Sequence, residues 1–323
     1  MNLVIHIFIF LISCLLLTLS GSWLVGALTR IARFLGWREF VVAFFILSFA
    51  ASIPELFIGI TSALGGIPEL SFGNIVGANV IHLTLAIALA TLILKGIEIE
   101  SRTVQASLVF TVIAAILPLI LILDGSLSRI DGVLLILAFI FYSSWLFSKK
   151  EYFSKIYDGV KPKSIIKEFK TFIQDLGIIL GGAVLLLISA QGIISSADFF
   201  AKTLNAPLPL IGILIVSLGT ALPETWFCLQ AARKGQSWMI LGNLMGCIIV
   251  TASLVLGIVV LIHPIEIIDF SPFVMARFFL IISAFFFLLF VRTGRKIIQK
   301  EALFLLGIYL TFVLFLLVEF LIK

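Results

Sequence analysis

Ten apolar stretches, each long enough to cross a lipid bilayer as a helix, make up most of this sequence. They restrict the fold severely, because no soluble domain buries the apolar surface of a chain with 62% hydrophobic and only 12% charged residues. The sequence therefore predicts an all-α integral membrane protein with ten transmembrane helices. The predicted spans are about residues 3–26, 40–66, 71–94, 103–123, 131–148, 175–198, 208–232, 237–262, 273–291 and 301–321.

The basic residues predict how these helices are oriented in the cell membrane. Most of the 22 Lys and Arg residues fall in alternate connections between the predicted spans. Cytoplasmic connections carry the excess of Lys and Arg, so the lysine-rich segment 149–174 is predicted to be a cytoplasmic linker. Both termini are then predicted to lie outside. The net charge of +5 follows from this topology, and no nucleic-acid partner is expected.

A duplication is visible in the spacing of four residue pairs. Each pair is separated by 169 residues, and the shared offset predicts a first repeat at residues 1–148 and a second at 175–323. Because five spans separate equivalent helices, the second copy must enter the membrane upside down. Inverted repeats of this kind place a substrate near the bilayer midplane, beside broken helices. The matched pairs are Glu55 with Glu224, Gly73 with Gly242, Asn74 with Asn243, and Gly77 with Gly246.

Each copy carries a Pro-Glu pair within an apolar run, Pro54-Glu55 and Pro223-Glu224. A carboxylate at membrane depth costs about 2.5–3.5 kcal/mol on insertion scales and by default indicates a functional site. The neighbouring proline frees a backbone carbonyl, which is tolerated in a bilayer only where it is buried or lines a cavity. The amides of Asn74 and Asn243 also need partners there, either on another helix or on a bound ligand.

These motifs resemble those of the calcium/cation antiporter superfamily, especially its prokaryotic sodium/calcium exchanger branch. The family pattern is Gly-Thr-Ser-Leu-Pro-Glu followed by Gly-Asn-x-x-Gly-Ser-Asn. The first copy here reads Ala-Ala-Ser-Ile-Pro-Glu at residues 50–55 and Gly-Asn-Ile-Val-Gly-Ala-Asn at 73–79. The second reads Gly-Thr-Ala-Leu-Pro-Glu at 219–224 and Gly-Asn-Leu-Met-Gly-Cys-Ile at 242–248.

The resemblance implies a secondary active antiporter that exchanges Ca²⁺ for Na⁺ by alternating access. In the family the two glutamates hold calcium, together with main-chain carbonyls at the positions of Ala51 and Thr220. Calcium prefers hard oxygen ligands. A main-chain carbonyl does not depend on the side chain, so alanine in place of threonine at position 51 need not abolish that part of the site. The expected partners are the transported cations and membrane lipids. A monomer without a resident cofactor is expected.

The residues implied for sodium binding depart from the family pattern. Hydroxyls are expected at Ser52, Ala78, Ala221 and Cys247, and only Ser52 has one. One turn further on, the family has Asn or Asp where this chain has His82 and Thr251.

Two alternatives for the transported ions therefore stay open on the same fold. His82 could exchange a proton for the cation, since histidine titrates near neutral pH. With Cys247 it could also form a softer ligand pair for another divalent cation. Equally, His82 could be a neutral imidazole bonded to a neighbouring helix, and packing is the expectation for Cys247.

Two other functional classes fit the sequence less well. A channel is disfavoured because strong cation binding at the midplane slows conduction. The sequence has no His-Glu-x-x-His run or serine nucleophile elbow, so no enzymatic activity is expected.

Overall fold

A computed structural model describes residues 2–34, 49, 52–99, 102–148, 165–235, 237–267 and 271–322. Three sequence predictions fall wholly or partly elsewhere. The proposed ligand Ala51, most of the first half of the predicted span 40–66 and the linker segment 149–164 lie outside the described residues.

Helices account for nearly all of the described chain, and three of them continue into a π-helical turn. The π-helical turns are His82–Ala86, Gly212–Val216 and Val250–Val255. The helices are α1 (Asn2–Phe34), α2 (Ile53–Leu64), α3 (Pro68–Ile81), α4 (Ile87–Leu94), α5 (Arg102–Leu121), α6 (Arg129–Ser148), α7 (Ile165–Thr203), α8 (Leu208–Ile211), α9 (Ser217–Arg233), α10 (Ser237–Ile249), α11 (Leu256–Ile262), α12 (Ser271–Arg292) and α13 (Gln299–Ile322).

The predicted all-α membrane fold is confirmed. Among the described residues, nine helical runs are long and apolar enough to span a membrane. The described part of the predicted span 40–66 is helix α2, which is apolar but only 12 residues long. A count of ten spans is therefore not established. Helix α7 is longer than predicted, since it begins at Ile165, inside the segment assigned to the linker.

Four short strands reveal the relationship between the two halves. Strand β1 (Ile97–Glu98) pairs with β4 (Lys296–Ile297), and β2 (Ser126–Leu127) pairs with β3 (Ile265–Glu266), both antiparallel. An offset of 169 residues takes β1 to within one residue of β3, and β2 to within one residue of β4. Exchanging the halves therefore exchanges the two sheets. Helix α5 separates β1 from β2 along the chain, so the sheets lie at opposite ends of the bundle, as inversion requires.

Close backbone contacts in the centre of the bundle hold the halves together. A Cβ atom added at Gly73 of α3 would lie 2.5 Å from the carbonyl oxygen of Pro209, and one at Gly212 would lie 2.7 Å from that of Leu70. A Cβ at Gly77 would collide with Ser217 in α9. Small residues allow this approach of helices within a membrane. As a result, α3 of the first half lies directly against α8 and α9 of the second.

Helices α1 and α7 form a second packed unit beside this centre. Gly192 of α7 leaves room for Ser13 of α1, and Gly182 leaves room for Leu24. Near the end of α1, Arg30 donates to both carboxylate oxygens of Asp175, with Nη2 2.6 Å from Oδ1 and Nε 3.1 Å from Oδ2. This forked ion pair fixes the two helices relative to each other.

The two Pro-Glu motifs sit differently in their helices. In the first copy α2 begins at Ile53, with Pro54 in its first turn. Proline is favoured there because its missing N–H would have no helical acceptor. In the second copy α9 continues through Pro223 without a break, although inverted repeats generally place their sites beside broken helices. Pro223 still leaves the carbonyl of Gly219 without its usual helical donor.

Candidate cation site

Two buried carboxylates from opposite halves of the chain form the centre of the site. Glu55 of α2 is 1% exposed and Glu224 of α9 is 4% exposed, and their charges interact. Within the described part of the chain, neither oxygen of Glu55 nor Oε2 of Glu224 has a hydrogen-bond partner. Burial of an unpaired carboxylate is strongly unfavourable, so this arrangement calls for a positive charge between them.

Among the described residues, no basic side chain forms an ion pair with either glutamate. The ion pairs found among the described residues are Arg30–Asp175, Lys202–Asp198 and Lys296–Glu98, and all three lie away from the two glutamates. A cation from solution can therefore take the place that a lysine or arginine occupies in a structural ion pair.

The start of α2 favours a charged group at Glu55. Ser52 is the N-cap residue and Glu55 lies in the first turn, where backbone N–H groups lack helical acceptors. The positive end of the helix dipole points to this turn and stabilises an anion by about 0.3–1 kcal/mol. Pro54 packs against Gly21 of α1, whose added Cβ would lie 3.6 Å from Pro54 Cγ. Helix α1 thus supports the position of this turn.

A hydrogen bond between the halves lies beside Glu55. Thr220 Oγ1 of α9 donates to Asn74 Oδ1 of α3 at 3.1 Å, and Thr220 also lies next to the Glu55 carboxylate. Interhelical bonding, one of the two roles expected for Asn74, is therefore present. Its Nδ2 has no partner among the described residues. The expected contribution of the Thr220 main-chain carbonyl to cation binding stays a prediction.

Cys247 lies inside the site, whereas the sequence favoured simple packing. Ser52 Oγ is 3.7 Å from Cys247 Sγ, and the thiol interacts electrostatically with both Glu55 and Glu224. Cys247 is fully buried. The 169-residue offset aligns Cys247 with Ala78 of the first-copy motif. That alignment was the signal in the sequence that Cys247 occupies a position of the site.

Asn243, the second predicted amide, lies on α10 of the second half. It is 2% exposed, and its Nδ2 has no partner among the described residues. It lies beside the thiol of Cys228, which also interacts with Glu224. Sequence reasoning missed Cys228 because its equivalent, Gly59, is not part of the repeated motif.

His82 and Thr251 lie at equivalent π-helical turns, a local geometry that often marks functional sites. The Thr251 hydroxyl donates to the carbonyl of Cys247 at 2.9 Å and lies 3.5 Å from Asn79 Oδ1. His82 is 1% exposed, and neither ring nitrogen has a partner in the described structure. The hydrogen bond to a neighbouring helix that was considered for His82 is therefore absent from that part of the chain.

The site differs in kind from a preassembled metal centre. Among the described residues, no three His, Cys, Asp or Glu side chains are grouped closely enough to hold a metal ion. Its oxygen groups are instead two carboxylates and the hydroxyls of Ser52 and Thr220. Such a mixed set suits a cation that binds and leaves.

Comparison with protein families gives one match over both halves of the chain. The family model described as sodium/calcium exchanger protein matches residues 5–148 and 175–318.

Individual relatives are distant but extend over most of the chain. The sodium/calcium exchanger MaX1 of Methanosarcina acetivorans is 25% identical, over 95% of this chain and 97% of the relative. The inner membrane protein YrbG of Escherichia coli is 23% identical, over 80% of each chain.

Solved structures of a sodium-calcium exchanger are also similar to this chain in three dimensions. A structure of the sodium-calcium exchanger NCX_Mj, soaked with Na⁺ and Sr²⁺, superimposes with a TM-score of 0.65 and 25% sequence identity. The match covers 96% of this chain and 98% of that one. A second structure of NCX_Mj, soaked with no Na⁺ or Ca²⁺, matches with a TM-score of 0.61.

Proposed function

The chain belongs to the sodium/calcium exchanger protein family, and on that premise we propose that it is a secondary active antiporter exchanging Ca²⁺ for Na⁺ by alternating access. The observation that carries the proposal is the pair of buried carboxylates, Glu55 and Glu224, which come from opposite halves and have no ion-pair partner within the part of the chain that the structure describes. Family membership favours sodium as the coupling ion over the proton-coupled alternative.

Calcium would be held mainly by the two glutamates. Ca²⁺ takes six to eight oxygen ligands at about 2.3–2.6 Å, and two carboxylates neutralise its charge. The remaining ligands would come from the hydroxyls of Ser52 and Thr220 and from main-chain carbonyls at Ala51, Gly219 and Thr220. A site of this kind dehydrates the ion without a rigid cage, so the ion can be released.

Sodium would compete for the same carboxylates. Either ion relieves the repulsion between Glu55 and Glu224, and occupation by one excludes the other. An empty pair of carboxylates at membrane depth is costly, which discourages the transition between inward-facing and outward-facing states without an ion. The same two charges therefore provide both competition and obligatory exchange.

We also propose the orientation of the exchanger in the membrane and its oligomeric state. The chain is a multi-pass membrane protein, and the lysine-rich segment 149–174 faces the cytoplasm with both termini outside, following the distribution of basic residues. It acts as a monomer among membrane lipids. Transported cations are its substrates, and no resident cofactor takes part.

Flux measurements with separately imposed gradients test the proposal. Protein reconstituted in liposomes is expected to take up Ca²⁺ when Na⁺ is trapped inside, and to take up none when only a pH gradient is imposed. Asp198→Asn removes one carboxylate charge outside the site and should take up Ca²⁺ as wild type does, because Asp198 forms an exposed ion pair with Lys202. Uptake that follows the pH gradient and ignores Na⁺ would contradict the proposal.

A further inference from the structure

We propose that His6 is a positioning residue of the cation site, which stacks on Phe199 and so holds the N-terminal end of α1 against α7. The inference rests on the proposed function in one respect, namely that Glu55 and Glu224 form the cation site. It goes beyond that function by assigning a role to a residue outside the repeated motifs and by giving the route along which it acts.

The ring of His6 lies flat against the ring of Phe199 in α7. Their centroids are 3.9 Å apart and their planes are inclined by only 9°. His6 is partly buried, and its Nδ1 has no hydrogen-bond partner among the described residues. The nearby carboxylate of Asp198 is bound by Lys202 at 2.6 Å. The contact of His6 with α7 is thus a stack of rings, a kind of pair that stabilises by more than its buried area alone.

This stack is the inverted counterpart of the ion pair between Arg30 and Asp175. The 169-residue offset takes His6 to Asp175, and it takes Arg30 to Phe199. Exchanging the halves of the chain therefore exchanges the stack with the ion pair. The same contact position is filled at both ends of the α1–α7 pair, by rings at one end and by charges at the other. Equivalent contacts at both ends indicate a clamp at each end rather than an incidental meeting of rings.

The stretch of α1 between the two clamps touches both Pro-Glu motifs. Gly21 packs against Pro54 of the first motif, and a Cβ added there would lie 3.6 Å from Pro54 Cγ. In the second motif, a Cβ added at Gly219 would lie 2.8 Å from Sγ of Cys14. A helix that is held at both ends presents its middle at a fixed position. The clamps on α1 therefore determine where it meets the two motifs.

Phe10 connects the stack to the second motif. It follows His6 by four residues, so the two side chains lie on the same face of α1. The ring of Phe10 meets that of Phe200 in α7 at an angle of 66°, with centroids 6.0 Å apart. Its Cζ would lie 3.3 Å from a Cβ added at Gly219. Loss of the stack therefore loosens the turn of α1 that contacts α9, the helix that carries Glu224.

Two measurements on the purified full chain in detergent test the proposal. The first is the rate at which N-ethylmaleimide labels Cys14, followed by mass spectrometry, and it needs no bound ion. The second is the affinity for Ca²⁺, from isothermal titration. In His6→Ala, we expect labelling to be about fivefold faster, because α1 lies less firmly against Gly219. We expect Ca²⁺ to bind about tenfold more weakly, because small displacements of positioned groups are costly.

Three further variants serve as comparisons. His6→Phe keeps a flat ring and should match wild type in both measurements. Phe8→Ala removes a ring that is 61% exposed on the same helix and should also match wild type. The double variant His6→Asp, Phe199→Arg installs the ion pair of the other clamp and should recover both quantities, whereas neither single change should. If His6→Ala does not fold, His6→Leu replaces it, since leucine keeps apolar volume without a flat ring.

The outcomes separate this inference from the antiport mechanism. Unchanged labelling of Cys14 in His6→Ala overturns it, because α1 would then not depend on the stack. Faster labelling with unchanged Ca²⁺ affinity also overturns it, because the stack would then be a structural contact only. Faster labelling and weaker binding, both recovered in the double variant, support it. If wild-type protein binds no Ca²⁺, the antiport proposal fails, and faster labelling in His6→Ala still supports the placement of α1 by the stack.

Discussion

The hydroxyl of Thr220 donates a hydrogen bond to the side-chain oxygen of Asn74 at 3.1 Å, joining the two halves of the exchanger beside Glu55. This bond depends on the close backbone contacts around Gly73 and Gly77, which bring α3 against α9. It also sets the position of the second-half helix that carries Glu224. The geometry of the cation site is thus a property of the contact between the halves.

Thr220→Val tests this link. The substitution preserves shape but leaves the buried Asn74 oxygen without its donor, which should cost about 1–3 kcal/mol of stability. Thermal unfolding in detergent should show the loss, and Ca²⁺ affinity should fall as Glu55 loses a neighbouring hydroxyl. Thr220→Ser keeps the donor and should remain close to wild type. Equal behaviour of the valine and serine variants would show that the bond has no structural role.

The central helix contact makes a second prediction. In Gly73→Ala the new methyl group meets the carbonyl oxygen of Pro209 at 2.5 Å, and this backbone atom cannot move aside cheaply. Overpacking of this kind costs about 1–3 kcal/mol. We expect a lower unfolding temperature together with slower Ca²⁺ uptake. Gly307→Ala on the exposed face of α13 has open space around it and should unfold like wild type.

The ion pair between Arg30 of α1 and Asp175 of α7 leads to a third prediction. Arg30→Gln leaves Asp175, only 2% exposed, without its partner. Because the arginine is half exposed, we expect a loss of about 1–3 kcal/mol, below the value for a fully buried pair. Lys202→Gln breaks an exposed pair and should cost less than about 1 kcal/mol. Similar losses in these two variants, compared by thermal unfolding, would mean that Arg30 and Asp175 do not clamp the helices.

His82 makes a fourth prediction, of opposite sign. Two buried ring nitrogens without partners cost stability, so His82→Leu should raise the free energy of unfolding by about 1–3 kcal/mol. If His82 serves the site, the same variant should take up Ca²⁺ more slowly. Thr251→Val at the equivalent turn removes a hydroxyl already bonded to its own helix and should change stability less. A destabilised His82→Leu would indicate that the imidazole is a satisfied structural group.

The sequence predicted the structure best where one strong local signal decides it, either the length of an apolar run or a carboxylate within such a run. Helices that cross a bilayer need about 20 apolar residues, so hydropathy alone located nearly every span. The pairing of Glu55 with Glu224 followed from a single offset, because a carboxylate in an apolar run is too costly to be incidental. Both results depend on strong local signals.

Features fixed by tertiary contacts were not predictable. Strand pairs such as Ile97–Glu98 with Lys296–Ile297 are too short to show a period of two. The π-helical turn at His82 leaves no compositional trace. The polar neighbourhood of Cys247 depends on Ser52, which is 195 residues away in the sequence. Proline inside a helix commonly kinks or breaks it, yet α9 is continuous through Pro223.

Calcium binding by four proteins tests the central claim most directly: wild type, Glu55→Gln, Glu224→Gln and the double variant, compared by isothermal titration in detergent. If one ion is shared by both carboxylates, each single change should weaken binding by about 100-fold, roughly 2.7 kcal/mol. The double variant should then be little worse than either, because the second carboxylate has no ion left to hold. Wild-type affinity in either single variant, or independent losses that add in the double variant, would contradict a shared site.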